Sequence, residues 1–384
     1  MPEKTIYLDY ASTSPLLEDV KQRVSEMLDV FGNPSSLHRI GMTAEERLST
    51  ARTRVLKALG AKAGRLVFTG GGTEANNLAV FGSLALLEGR GRHIVTTAIE
   101  HPAVLEPIRA LAKRGWDVTY IRPDCNGDIQ AHEVLEAIRP DTVFVSMMHV
   151  NNETGAILPV VEVAKALTEY PKIRFHVDGT QAFGKIPVRL ADTAIDLYTV
   201  SAHKIGALKG TGGLYVRQGV KLEPILYGGG QESGTRSGTE NVLGADVFGL
   251  AAEIAVKRLE AESNALATRQ WFVDELERIP GWTVRKPKSP SPYIVNASLK
   301  GLRGEVIVHA LESQGVYVSS GSACSTAHGK QKRSHVLEAM GLSTEEVDAA
   351  VRFSWHPGID REDLASALTV VREQSSWLRS MVGA

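Results

Sequence analysis

The stretch Arg65-Leu-Val-Phe-Thr-Gly-Gly-Gly-Thr-Glu-Ala-Asn-Asn77 decides the fold. Five residues, mostly apolar, predict a short strand, and apolar residues at helical spacing follow over 74–87. The strand is a continuous apolar run rather than an alternation, as expected when both sheet faces are covered. Three glycines between them permit close backbone approach. The helix start beyond offers unpaired amides and the positive end of its dipole. The unit recurs: His93-Ile-Val-Thr-Thr97 precedes Glu100-His101-Pro102 and a predicted helix over 103–114. Pro102 suits a first helical turn, where no amide hydrogen is needed. Runs at 116–121, 142–148, 174–177 and 195–201 supply further strands. The pattern predicts an α/β fold with a mainly parallel sheet sandwiched by helices.

The texture changes near residue 251. A long charged helix is predicted over 252–279, then strands at 282–284, 293–298, 316–319 and 351–354 with more alternation. This predicts a large domain over 16–255 and a smaller α/β domain formed by 1–15 and 256–384.

Composition narrows the function. With 43 Lys+Arg against 44 Asp+Glu, the chain has no basic excess for nucleic acid, so small-molecule partners are expected. At 43% hydrophobic and 23% charged it has ample apolar material for a core. The longest apolar stretch, 78–87, is half of the roughly 20 residues a membrane span needs. No export signal is read before Asp9, and two cysteines cannot make a disulfide framework, so a cytoplasmic location is expected. No metal-ligand spacing is present.

Ligands of parallel sheets sit beyond the carboxyl ends of the strands. Those ends carry Gly70-Gly71-Gly72-Thr73, His101, Asn151-Asn152, Asp178 with Gln181, and Ser201-Ala202-His203-Lys204. The glycine turn reads as a phosphate cup or simply as a turn. Asp178 needs a cationic partner at the sheet rim. A protonated pyridine nitrogen would serve, with Lys204 forming an imine to an aldehyde on the same ring; an Asp178–Lys204 ion pair is the alternative. His101 reads either as a cap or as a ring that covers a cofactor and relays protons. Arg352, a charge within the apolar run Val351-Arg-Phe-Ser354, suits a substrate carboxylate or an ion pair. Cys324 lies in a small-residue segment followed by Lys330, Lys332 and Arg333, which favour its thiolate. Cys125 reads as a turn residue.

In this order the segments resemble the cysteine desulfurases of the NifS and IscS type, within the class V aminotransferases of fold type I. The resemblance runs end to end, from Tyr7-Leu-Asp-Tyr-Ala-Ser-Thr-Ser-Pro15 through Phe31-Gly-Asn-Pro-Ser-Ser-Leu-His38, Phe68–Asn77, Glu100-His101, His149-Val-Asn-Asn-Glu-Thr-Gly155, His176-Val-Asp-Gly-Thr-Gln181 and Ser201–Lys204 to Arg236-Ser-Gly-Thr239, Ser319–Cys324 and Val351–Ser354. It implies a fold-type-I enzyme dependent on pyridoxal 5'-phosphate that converts L-cysteine to L-alanine and carries the sulfur as a persulfide on Cys324. A selenocysteine lyase or an aminotransferase on the same scaffold is the sibling alternative, and a non-catalytic ligand-binding α/β protein is the alternative of another class.

By the same resemblance, Lys204 links to the cofactor, Asp178 pairs with its ring nitrogen, Gln181 meets its ring hydroxyl and His101 stacks on it. Gly72, Thr73, Ser201 and His203 hold its phosphate, joined by Thr239 from a second subunit, which implies a homodimer. Asn152, Arg352 and Asn33 face the substrate. Departures occur at Gly206-Ala-Leu-Lys-Gly210, Trp355-His-Pro-Gly358 and Ala11-Ser-Thr-Ser-Pro15. The roughly sixty residues after Cys324 are fewer than scaffold-binding relatives carry. The sulfur-acceptor protein is left open among iron-sulfur, tRNA and cofactor thiolation routes. Neither membrane nor nucleic-acid binding is expected.

Overall fold

The computed structural model describes residues 5–320 and 333–382. Its strands are β1 (Ile6–Tyr7), β2 (Arg65–Thr69), β3 (His93–Thr97), β4 (Asp117–Ile121), β5 (Thr142–Met148), β6 (Arg174–Asp178), β7 (Leu197–Ser201), β8 (Gly212–Val216), β9 (Trp282–Val284), β10 (Ile294–Leu299), β11 (Val316–Tyr317), β12 (Ser319–Ser320) and β13 (Ala350–Ser354). Seven of them make one sheet in the order β2-β8-β7-β6-β5-β3-β4. From β7 to β4 all pairs are parallel, while β8 runs antiparallel to both β2 and β7.

Alternate residues of these strands fill two cores, as the pleat requires. Val67, Ile94, Phe144, Leu197 and Leu214 face one side with Leu78 and Ile108 from the helices Gly72–Leu87 and Pro102–Ala112. Phe68, Val95, Val145, Val177 and Val200 face the other with Ala51 and Phe248 from the helices Arg39–Ala58 and Val242–Ala261. Burial on both faces explains the continuous apolar runs.

Strand β8 is not foreseen by the apolar pattern, because it opens with Gly212-Gly213. The structure gives the reason: a Cβ on Gly212 would lie 2.6 Å from the backbone carbon of Gly71. The strand gives up side chains so that the glycine turn after β2 can lie against it.

The second sheet is antiparallel, in the order β12-β13-β10-β9. The N-terminal segment joins it: β1 pairs with β11, Asp9 bridges Ser354, and Ile6 and Leu8 enter a core with Phe272, Trp282, Phe353 and Trp355. The single helix predicted over 252–279 is two helices, Val242–Ala261 and Ala265–Glu277. The break falls at Glu262-Ser263-Asn264, where Ser and Asn side chains compete for backbone hydrogen bonds. The strand predicted at 316–319 is likewise divided, into β11 and β12. Past the second sheet's β12, Val336, Leu337, Met340 and Val347 return to the core of the large sheet.

Candidate active site

Beyond the carboxyl ends of the parallel strands lies a cavity of about 250 Å³. Gly72 and Thr73 reach it from the end of β2, His101 from beyond β3, and Asn152 from beyond β5. Asp178 and Gln181 come from the end of β6, Ser201, His203 and Lys204 from the end of β7, and Arg352 from β13 of the other sheet. Connection order explains the convergence: parallel strands all point their ends the same way, so residues far apart in sequence share one rim.

Asp178 is buried, and its two oxygens accept hydrogen bonds from Asn76 Nδ2 at 2.8 Å and from the Thr180 amide at 3.0 Å. Lys204 Nζ donates to the carbonyl oxygens of Ala11 and Ser12 at 2.6 and 2.7 Å. Gln181 Nε2 donates to that same Ala11 oxygen at 2.7 Å, and Gln181 Oε1 accepts from Lys185 Nζ at 2.8 Å. Thus the carboxylate and the amine each have their own neutral partners in the cavity wall.

His101 caps the helix Pro102–Ala112, its Nδ1 accepting from the Ala103 amide at 3.1 Å. That bond leaves the ring proton on Nε2. Burial pushes its pKa below the ordinary value; Asp178 opposes the shift and Lys204 and His335 add to it. His203 pairs through Nδ1 with Thr13 Oγ1 at 3.1 Å, and burial, with Lys204, Lys209 and Lys185 nearby, pushes it down to about 4. Both imidazoles are therefore neutral near pH 7.

A second, more open cavity shares Gly72, Thr73, Ser201 and His203 with the first and adds Gly70, Gly71 and Lys209. Here the 16-residue helix Gly72–Leu87 presents its free amides. A Cβ on Gly72 would lie 3.2 Å from Thr180 Oγ1, so the glycine keeps the cradle open. Among the described residues the one carboxylate lining this cavity, Glu74, accepts from the Gly70 amide at 2.7 Å and pairs with Arg236 Nε at 2.7 Å. The cup thus remains suited to an anion.

Arg352 is held at two points: Nη2 lies 2.7 Å from Asp9 Oδ1, and Nη1 donates to the Asn152 carbonyl at 2.9 Å. Its Nε is buried without a partner, as is Asn76 Oδ1. Two expected residues stand elsewhere among the described residues. Asn33 is exposed and its Oδ1 accepts from the Ser35 amide at 2.9 Å; Thr239 is exposed and lines neither cavity. Cys324 lies outside the described residues. The described flanks on its two sides are placed near the cavity: Ser319 pairs with Arg352, and His335 Nε2 bonds the Glu100 carbonyl at 2.9 Å.

Sequence reading passed over Asp9, Asn76 and Lys185. All three lie within or beside the quoted segments, but only tertiary distance gives them partners. Glu100 carried a weak signal, as a carboxylate next to His101 in an apolar setting. It is fully buried, accepts from Thr97 Oγ1 and the Met148 amide, and burial pushes its pKa up to about 8.

A family profile described as aminotransferase class-V matches residues 6–366. The chain belongs to the class-V aminotransferase family. Across 99% of its length it is 39% identical to the cysteine desulfurase IscS of Dictyoglomus turgidum, covering 96% of that protein. A solved NifS-like protein superposes with a TM-score of 0.90 at 33% identity, covering 97% of this chain and 100% of that one. A structure titled SspA in complex with cysteine superposes with a TM-score of 0.80 at 33% identity, covering 92% and 99%. Family membership carries the fold-type-I reading and the mainly parallel sheet with it.

Proposed function

We propose that this protein is a pyridoxal-phosphate-dependent cysteine desulfurase, which converts L-cysteine to L-alanine and holds the released sulfur as a persulfide on Cys324. One observation carries the reading: two adjoining cavities that share Gly72, Thr73, Ser201 and His203 bring together an anion cup, the Asp178 carboxylate, the Lys204 amine and the Arg352 guanidinium. The alignment with cysteine desulfurases over almost the whole chain supports the same activity.

The donor set fits the cofactor. Gly72, Thr73, Ser201 and His203 would hold its phosphate, Asp178 its ring nitrogen, Gln181 its ring oxygen and Lys204 its aldehyde carbon, with His101 beside the ring. The open cradle at Gly72 and the unpartnered Asn76 Oδ1 fit a bound group better than a closed core. When bound, pyridoxal phosphate supplies an electron sink for bond breaking at the substrate's α- and β-carbons.

The chain's own residues do the rest. Arg352, aligned by Asp9 and the Asn152 carbonyl, binds the substrate carboxylate with its remaining donors. Lys204, once freed, moves the α-proton, and neutral His101 passes a proton through Nε2. The Cys324 thiolate attacks the substrate sulfur: the new S–S bond forms as the carbon–sulfur bond breaks, and the carbon takes up a proton to give alanine. Substrate cysteine and one enzyme thiol thus yield alanine and one enzyme persulfide.

A homodimer is part of the proposal. Leu28, Phe31, Leu37 and Met42 form an apolar stretch exposed in the single chain, Leu37 at 95%. Thr239, exposed and away from its own cavity, is available to a neighbouring subunit's cup. The division into 16–255 and 1–15 with 256–384 is supported by the separate core around β10 and β13, except that Val336, Leu337, Met340 and Val347 pack in the core of the large sheet. Among the described residues no helix is long and apolar enough to cross a membrane. A cytoplasmic location suits a free catalytic thiol. The acceptor is a protein able to take sulfur from a persulfide. Mass spectrometry after exposure to L-cysteine tests the activity. One added sulfur on the Cys324 peptide, alanine in the solution and loss of both in Lys204→Ala are expected; alanine without sulfur on Cys324 would overturn the assignment.

A further inference from the structure

Lys185 follows Gln181 by four residues on the turn beyond β6, and its side chain is almost wholly enclosed, at 4% exposure. Its Nζ donates to Gln181 Oε1 at 2.8 Å, while Gln181 Nε2 donates to the Ala11 carbonyl at 2.7 Å. A carbonyl only accepts, so the Ala11 contact permits a single orientation of the Gln181 amide, and the Lys185 ammonium, which only donates, reinforces it. That orientation commits the amide nitrogen, with its second N–H, to the side away from Lys185. The Ala11 carbonyl also receives Lys204 Nζ at 2.6 Å, so Lys185, Gln181 and Lys204 form one chain of hydrogen bonds.

Holding a lysine here is costly. Burial, with the charges of Lys204 and Arg352 adding, pushes its ammonium down to about 7. Arg258, His356 and Tyr10 face it across a rear cavity of about 210 Å³, which Lys204 also lines. Among the described residues no carboxylate lines that cavity. A space-filling role needs no charge, since a methionine would pack as well.

We propose that Lys185 is a positioning residue that locks the Gln181 amide with its N–H toward the ring oxygen of the cofactor. The proposal rests on the pyridoxal-phosphate reading above. A donor held at that oxygen favours the more negative form of the bound cofactor and lowers the pH at which it takes up a proton. With Lys185 gone the amide keeps only its bond to the Ala11 carbonyl, and its second N–H is held less firmly toward the ring oxygen.

The test is a pH titration of the visible absorbance of the holoenzyme without substrate, in wild type, Lys185→Met, Lys185→Arg, Gln181→Leu and the double variant Lys185→Met with Gln181→Leu. Lys185→Met is expected to raise the midpoint by roughly one pH unit. Lys185→Arg, another obligate donor with room in the rear cavity, restores it toward wild type. In the Gln181→Leu background, Lys185→Met adds no further shift. An unmoved midpoint in Lys185→Met overturns the inference. So does a full shift that persists without Gln181, because the lysine would then act by its charge alone. If Lys185→Met does not fold, Lys185→Leu, which likewise offers no donor, takes its place with the same expectations. A wild type that shows no visible band after reconstitution with pyridoxal phosphate overturns the functional reading and this inference together; a normal band with an unmoved midpoint overturns this inference alone.

Discussion

Arg352 and Asp9, 343 residues apart in sequence, form a largely buried ion pair with Nη2 and Oδ1 2.7 Å apart. It joins β13 to the segment after β1, the same segment whose Ala11 and Ser12 carbonyls receive Lys204. The substrate-facing guanidinium and the catalytic amine of the proposed enzyme are therefore set by one short stretch of chain. Asp9→Ala removes an oriented partner and leaves the guanidinium with the Asn152 carbonyl. A charged hydrogen bond of about 1.5–3 kcal/mol predicts a ten- to hundredfold rise in KM for cysteine with a smaller change in kcat. Asp9→Asn, which keeps an acceptor, falls closer to wild type. Steady-state alanine production checks both.

Asp178 is held by Asn76 and the Thr180 amide, so its position does not depend on a cation of the protein. Asp178→Ala is expected to leave the fold intact and weaken cofactor retention by about ten- to hundredfold, the worth of one charged hydrogen bond. Asn76→Ala moves it in the same direction by less. Equilibrium dialysis of pyridoxal phosphate, with far-ultraviolet circular dichroism as the control for folding, measures the effect.

Gly212 backs the anion cup, and a Cβ added there would lie 2.6 and 2.8 Å from backbone atoms of Gly71. Backbone yields less readily than a flexible side chain. Gly212→Ala is therefore expected to cost about 1–3 kcal/mol of stability, the usual range for overpacking, and to weaken binding of the cofactor's phosphate. Denaturant unfolding of the apoprotein reads the first effect and cofactor titration the second.

Glu100 lies wholly inside the protein, with its pKa raised from 4.5 to about 8. Between those values the folded state keeps a proton that the unfolded state has released. Stability therefore falls as pH rises from about 4.5 toward 8. Glu100→Gln keeps the shape without the titration and is expected to flatten that part of the profile, by a few kcal/mol at most. Thermal unfolding of both proteins across this range checks it; parallel profiles would contradict the account.

Much of the large domain is legible in the sequence because strands buried on both faces are continuous apolar runs, as at Thr142–Met148. The cavity residues that follow such runs, Asp178 and Lys204 among them, are legible for the same reason. Strand β8 is not, because close approach to Gly71 replaced its opening side chains with glycine. Nor is the break between the helices Val242–Ala261 and Ala265–Glu277, where helical spacing continues across residues that prefer turns. Arg352 stands out as a charge in an apolar strand, whereas Asp9 looks like any exposed acid until β1 pairs with β11. Lys185 is the hardest to read, since nothing in a Gly-Lys-Ile sequence tells a buried ammonium from a surface one.

The account depends most on Lys204, rather than its buried neighbour Lys185, being the amine that carries the cofactor. Reduction of the holoenzyme with borohydride, followed by peptide mapping by mass spectrometry, locates that linkage. The expected result is one pyridoxyl phosphate group on Lys204 and none elsewhere; a label on Lys185 or any other lysine, or no label at all, would contradict the account.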